Sequence, residues 1–265
     1  MSGKVILSEV RSHIGTITIN RPERRNALSP EALFGIHETL RQWGSSDEVR
    51  CVVITGGGQT AFSSGFDLST VSTGNATEQP GFMQGVNPVE TALNTVAGYP
   101  YPTIAMLNGY AFGAGLHLAV CCDMRIAVED VRVGMPPARL GLVYHPEGIR
   151  QFMDVVGVAR AREIFFTART YRGREALEAG LVDRLVPAAD LAAATYALAE
   201  EIAENAPLSL KGTKRIMAMY AERRALTEGQ MVEAKAIISQ AFASEDLKEG
   251  HRAFFEKRKP LFTGK

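Results

Sequence analysis

Cysteine is scarce in this chain of 265 residues, with only Cys51, Cys121 and Cys122. Two of the three are neighbours, so no disulfide framework is expected, and no C-x-x-C pair suggests zinc or another metal. A surplus of charge is missing as well, because 29 Lys and Arg balance 29 Asp and Glu. With no basic field to hold a phosphate backbone, a nucleic-acid partner is not expected. Any anionic ligand must instead be met by a local group of cations. Long apolar runs are also lacking. No stretch approaches ~18 uninterrupted apolar residues, so no membrane span is expected. The opening Met1-Ser2-Gly3-Lys4-Val5-Ile6-Leu7 has no extended apolar region of the signal-peptide kind, and a soluble, cytoplasmic protein is expected.

What is present is ordinary globular composition, 46% hydrophobic and 22% charged, in a chain long enough to bury a sizeable core. The first part alternates strand and helix signals. Val5–Val10 and Gly15–Asn20 read as an antiparallel pair rich in β-branched residues. Ser29-Pro30-Glu31 is a helix start: a capping hydroxyl, a proline at the first helical position and an acid in the first turn. Leu33, Ile36, Leu40 and Trp43 follow at helical spacing until Gly44. Cys51–Thr55, Thr103–Leu107, Met124–Val128 and Leu181–Val186 read as strands. Residues 69–87 are rich in turn formers and predict a mobile surface segment, a candidate lid. Beyond Ala188 the pattern is helical, over Leu191–Asn205, Leu208–Arg224, Thr227–Ser244 and Glu245–Lys257. The expectation is an α/β core over residues 1–187 and a C-terminal helical region over 188–265.

Two glycine-containing turns are candidates for chemistry. Ser63-Ser64-Gly65-Phe66-Asp67-Leu68 follows a strand signal, and Asn108–His117 leads through Gly109, Gly113 and Gly115 into a short helix. Glycine lets backbone approach a ligand closely, and a helix start presents amides that favour negative charge. Such turns are common in structural roles, so neither by itself identifies an activity.

Taken with their surroundings they carry more. Ile19–Leu28, Val52–Gly56 leading into Phe62–Leu68, Asn108–Met124, Ala176–Pro187 and Phe255–Phe262 together resemble the crotonase (enoyl-CoA hydratase/isomerase) superfamily, in order and over almost the whole chain. The resemblance implies a spiral of ββα units with a C-terminal helical trimerisation region, assembled as a trimer or dimer of trimers. It implies an acyl-CoA thioester as substrate, with coenzyme A entering as part of that substrate and no permanently bound cofactor. It also implies an oxyanion hole from the backbone N–H groups of Phe66 and Ala114, aimed at the oxygen where an enolate carries its charge. Alanine at 114 stands where the family usually has glycine. Arg24, Arg25 and Ala27 are implied near the nucleotide, Ser64, Asp67 and Leu68 around adenine and pantetheine, and Lys257 near a neighbouring subunit's ligand.

The chain departs from the family's hydratases at both carboxylates that handle water. His117 and Pro137 occupy those positions, and hydration needs a paired acid and base. Leu140–Tyr144 resembles the methylmalonyl-CoA decarboxylase branch, in which a tyrosine faces the substrate carboxylate. His145 falls where dienoyl-CoA isomerases and a chlorobenzoyl-CoA dehalogenase carry aspartate. Phe66, however, replaces the decarboxylase branch's histidine. The implied proton-handling set is His117, Tyr144, His145 and Glu147, with Glu147 expected to orient His145 or act as a base. Isomerisation or decarboxylation fits this set better than hydration, and a carbon–carbon hydrolase is a third possibility. Hydration by a non-standard dyad, a non-catalytic acyl-CoA binder and an RNA-binding homologue are the alternatives, the last opposed by the charge balance.

Overall fold

A computed structural model describes residues 4–67, 87–222 and 226–264. Leu68 and the segment expected to be a lid therefore lie outside the described residues, except for Asn87. The antiparallel pair β1 (Ile6–Arg11) and β2 (Ile14–Ile19) begins the chain. Helix α1 (Pro30–Trp43) starts where the sequence signals it, with the Ser29 hydroxyl accepting from the Ala32 amide. Its apolar stripe, Leu33, Ile36 and Leu40, is buried.

The chain then winds through repeated strand–strand–helix turns. First come β3 (Cys51–Gly56), β4 (Ala61–Ser63) and α2 (Pro88–Ala97). Next come β5 (Thr103–Leu107), β6 (Tyr110–Phe112) and α3 (Ala114–Cys121). The third turn has β7 (Met124–Val128), β8 (Arg132–Gly134) and α4 (Pro146–Thr167). Strand β9 (Thr170–Arg172), helix α5 (Arg174–Glu178) and β10 (Arg184–Val186) complete the spiral. The two strands of each turn go to different sheets. One sheet has the order β1-β2-β3-β5-β7-β10, parallel except for the first pair, and the other β4-β6-β8-β9. Every residue of β3 is buried, as expected for a parallel strand covered on both faces.

Four more helices follow: α6 (Leu191–Ala203), α7 (Pro207–Glu222), α8 (Glu228–Phe242) and α9 (Glu245–Phe255). The boundary expected at 187/188 does not coincide with a change in packing. Helix α6 lies on the larger sheet, buries Leu191, Thr195 and Ala199, and puts Tyr196 Oη 2.9 Å from Thr16 Oγ1. The change comes at α7, which exposes Leu208, Ile216 and Met217, while α8 exposes Val232 and Ile237. Two lysines tie α7 to the core, Lys211 on Asp47 and Lys214 on Asp123. Helix α9 folds back on the turn at Pro137–Leu140.

Candidate active site

The two glycine turns meet. Leu28 bonds to both neighbours of Phe66, its N–H donating to Gly65 O and its C=O accepting from Asp67 N. In such a parallel bridge the N–H of Phe66 itself points away from Leu28. The adjoining Gly65 faces the other turn, since a Cβ there would lie 3.6 Å from the Ala114 amide nitrogen. Ala114 opens α3, so its N–H has no partner within the helix. The strained conformation belongs to Gly113, at φ 53° and ψ −125°, and Ala114 is not among the residues with positive φ. Alanine thus takes this position without strain, and its amide lies beside Gly65, the residue before Phe66.

Three aromatic rings gather one turn further along α3. His117 is fully buried, and its Nδ1 lies 2.9 Å from Tyr144 Oη. Its Nε2 lies 2.6 Å from Gln151 Oε1, which also accepts from the Cys121 thiol. With that carbonyl as acceptor, His117 carries its proton on Nε2 and accepts at Nδ1 from the Tyr144 hydroxyl. The His145 ring is 4.7 Å from that of Tyr144 and 5.3 Å from that of His117. Burial, with His145 adding to it, pushes the His117 pKa down to about 3. Burial takes His145 to about 4, against a smaller upward pull from Glu147. The Tyr144 phenol is shifted upward, again chiefly by burial. Near neutrality all three rings are uncharged.

His145 is the cap of α4, its Nδ1 accepting from the Gly148 amide at 3.2 Å. Pro146 and Glu147 complete a cap–proline–acid start like that of α1, so the apparent loop after Gly141 becomes helix from Pro146. Glu147 pairs through both carboxylate oxygens with Arg150, and it still pulls the His145 pKa upward. A second carboxylate stands by the same ring, Glu90 of α2, with Oε1 3.7 Å from His145 Nδ1. The Glu90 carboxyl is shifted upward by burial, opposed by Asn87 and Lys235 and reinforced by Glu147. Sequence reasoning missed Glu90 and Gln151. A signal for the first existed in Asn87-Pro88-Val89-Glu90, a helix start with the Asn87 side chain accepting from Val89 and Glu90 amides. Gln151 carried none, since it needs the fold to bring α4 against α3.

The residues expected around a nucleotide also converge. Arg24 and Arg25 are exposed on a short turn that buried Asn26 clips to Gly57 and Ala61 carbonyls. Arg25 O accepts from Ser64 N, and Arg21 joins Ala27 O to the Asp67 carboxylate. Lys257 stands beyond the end of α9, and no contact among the described residues brings it to this turn. Pro137 is buried at the start of its turn.

A profile of the enoyl-CoA hydratase/isomerase family matches residues 9–265. The short-chain-enoyl-CoA hydratase of Clostridium acetobutylicum is 31% identical over 254 residues, covering 96% of this chain and 95% of its own. An enoyl-CoA hydratase/isomerase structure from Pseudoalteromonas atlantica T6c is 32% identical, with a TM-score of 0.85 over 98% of this chain and 100% of that one. Methylmalonyl-CoA decarboxylase in complex with 2-nitronate-propionyl-CoA gives a TM-score of 0.90 at 25% identity, over the full length of both chains.

Proposed function

Because this chain belongs to the enoyl-CoA hydratase/isomerase family, we propose that it decarboxylates an acyl-CoA thioester bearing a carboxylate on its α-carbon. The observation that carries the reading is the uncharged Tyr144–His117 pair, with His117 fully buried one turn along α3 from the Ala114 amide and Tyr144 partly buried against it. A glutamate at 117 would repel a substrate carboxylate, whereas a neutral phenol can orient one. Loss of carbon dioxide breaks the bond from the α-carbon to the carboxyl carbon. The electron pair enters the α-carbon–carbonyl bond, and the resulting oxyanion is stabilised by Phe66 and Ala114 N–H groups. The charge leaves the surroundings of Tyr144 for two preorganised donors, so the transition state gains more than the ground state.

A phenol has one hydrogen to donate. To engage a carboxylate, Tyr144 must release His117 Nδ1. The balance is kept if His117 carries its proton on Nδ1 and donates to the phenol oxygen, with Gln151 turning its amide to donate to Nε2. Gln151 can supply either polarity, which a carboxylate could not.

In this reading Arg24 and Arg25 meet the phosphates of coenzyme A, which enters and leaves with the substrate, and Ser64 and Ala27 line its path. The exposed apolar faces of α7 and α8 are covered in a homo-oligomer. Isomerisation of an enoyl-CoA is the second reading, favoured by His145 lying in the same ring cluster.

The test is turnover of malonyl-type, 3-enoyl and crotonyl thioesters by the purified protein. Carbon dioxide and a saturated acyl-CoA are expected from the first. Fast hydration of crotonyl-CoA without decarboxylation would overturn the proposal, and binding of every thioester without turnover would make the protein a binder.

A further inference from the structure

Decarboxylation leaves an enolate that must receive a proton at its α-carbon, and neither His117 nor Tyr144 is placed to supply a renewable one. His117 has both ring nitrogens engaged inside the fold, and the Tyr144 hydroxyl is committed to His117 or the substrate. His145 differs. Its Nδ1 accepts from the Gly148 amide, which fixes the proton on Nε2. That Nε2 is buried and has no hydrogen-bond partner among the described residues. A buried donor left without a partner is destabilising, so its presence calls for an explanation. It sits over the face of Gly148 shared with the other two rings, 2.8 Å from where a Cβ at 148 would be. At the other edge of the same imidazole is the Glu90 carboxyl, 3.7 Å from Nδ1.

We propose that Glu90 and His145 form a proton relay for the α-carbon: His145 is the donor to the enolate, and Glu90 is the positioning residue that recharges it. The inference rests on the enolate chemistry proposed above. In the step, the His145 Nε2–H bond breaks as the α-carbon–hydrogen bond forms. Nδ1 releases the Gly148 amide and takes the proton of the Glu90 carboxyl, which becomes a carboxylate, so the negative charge of the enolate ends on Glu90 and His145 is left with its proton on Nδ1. Exchange with solvent restores the acid, as the carboxyl is about two-fifths exposed, and loss of the Nδ1 proton with gain of one at Nε2 returns the tautomer that the Gly148 amide favours. Upward displacement of the Glu90 pKa by burial supports a carboxyl that can hold this proton. The groups facing the pair are Glu147 with its partner Arg150 on α4, Lys235 on α8, Asn87 at the start of α2, and Tyr144 and His117 beside the ring.

The relay also runs in reverse on a saturated acyl-CoA, which separates it from decarboxylation. Wild-type protein in deuterium oxide is expected to exchange the α-hydrogens of propionyl-CoA, followed by mass spectrometry. Glu90→Gln should slow exchange at least tenfold with KM within about twofold, and should remove the limb of the exchange pH profile that reports Glu90. Glu90→Asp should recover part of the rate and restore that limb. His145→Gln should slow exchange as strongly as Glu90→Gln. Exchange by Glu90→Gln within twofold of wild type, an unchanged pH profile, or no exchange by wild type would each overturn the relay. Exchange that depends on Glu90, together with no carbon dioxide from any malonyl-type thioester, would uphold the relay and sink the decarboxylase reading alone.

Discussion

A Cβ placed on Gly148 would lie 2.5 Å from Cε1 of Tyr144, closer than side-chain carbons approach one another. The same atom would be 2.8 Å from His145 Nε2 and 2.9 Å from His117 Cε1, so the first turn of α4 has no room for even a methyl group. The three rings hold their mutual geometry because the helix comes this close. Gly148→Ala should therefore force Tyr144 and His145 apart, lowering kcat at least tenfold and stability by about 1–3 kcal/mol. Urea unfolding and steady-state decarboxylation measure the two effects. A fully active, equally stable variant would show that the rings adapt freely.

The oxyanion hole can be tested at one atom. Proline at 114 removes the N–H while fitting the first position of α3, where no intrahelical bond is lost. A residue before proline favours the polyproline region. Gly113, at φ 53° and ψ −125°, occupies its mirror image, open to glycine. Ala114→Pro should keep its thermal midpoint within a few degrees and lose about 100- to 1,000-fold in kcat. Ala114→Gly, which retains the amide, should stay near wild type. Equal activity of the proline variant would remove Ala114 N–H from the mechanism.

Legibility in the sequence followed the length and locality of each signal. Strands β5 and β7 were read to the residue because each is a short, mainly apolar segment set off by turns. Strands β4, β6, β8 and β9 are three residues each, too short for any period to register, and the second sheet they form was not legible. The two glycine turns were legible from their glycines, while an oxyanion role for them came only from the family resemblance. The Glu90–His145 contact was not legible, because it joins residues 55 positions apart through the packing of two helix starts. The Glu147–Arg150 pair was not foreseen either, although Arg150 lies three residues along the same helix face.

Stability should fall on the acid side. His117 and His145 hold folded pKa values of about 3 and about 4, below the ordinary value of 6.5. Between 6.5 and those values the unfolded chain binds protons that the folded chain refuses. Their contribution is thus fully present above about pH 6.5 and is lost progressively as pH falls through 4 and 3. Glu90, displaced upward, acts with the opposite sign, as a single group against two. Urea midpoints measured from pH 7.5 to 4 should decline steadily, and His117→Gln should make the decline shallower. A flat profile between pH 7 and 5 would mean that the rings are not held neutral by burial.

Arg24 and Arg25 offer the last and most separable test, because their side chains are exposed and outside the ring cluster. In a chain of zero net charge, attraction for a phosphate has to come from charges this local. It should be strongly screened by salt, with a Debye length of about 10 Å at 0.1 M. Replacing both arginines by glutamine should raise KM for a CoA thioester about five- to twentyfold at low salt, as expected for two exposed contacts of up to about 1 kcal/mol each. The effect should shrink at 0.5 M salt and leave kcat unchanged, since the oxyanion amides and rings are untouched. A pantetheine thioester, which lacks the nucleotide, should show the same KM in both proteins. An equal rise in KM for the pantetheine thioester would show instead that the substitutions disturb the Asn26-clipped turn and, through Ser64, the backbone leading to Phe66.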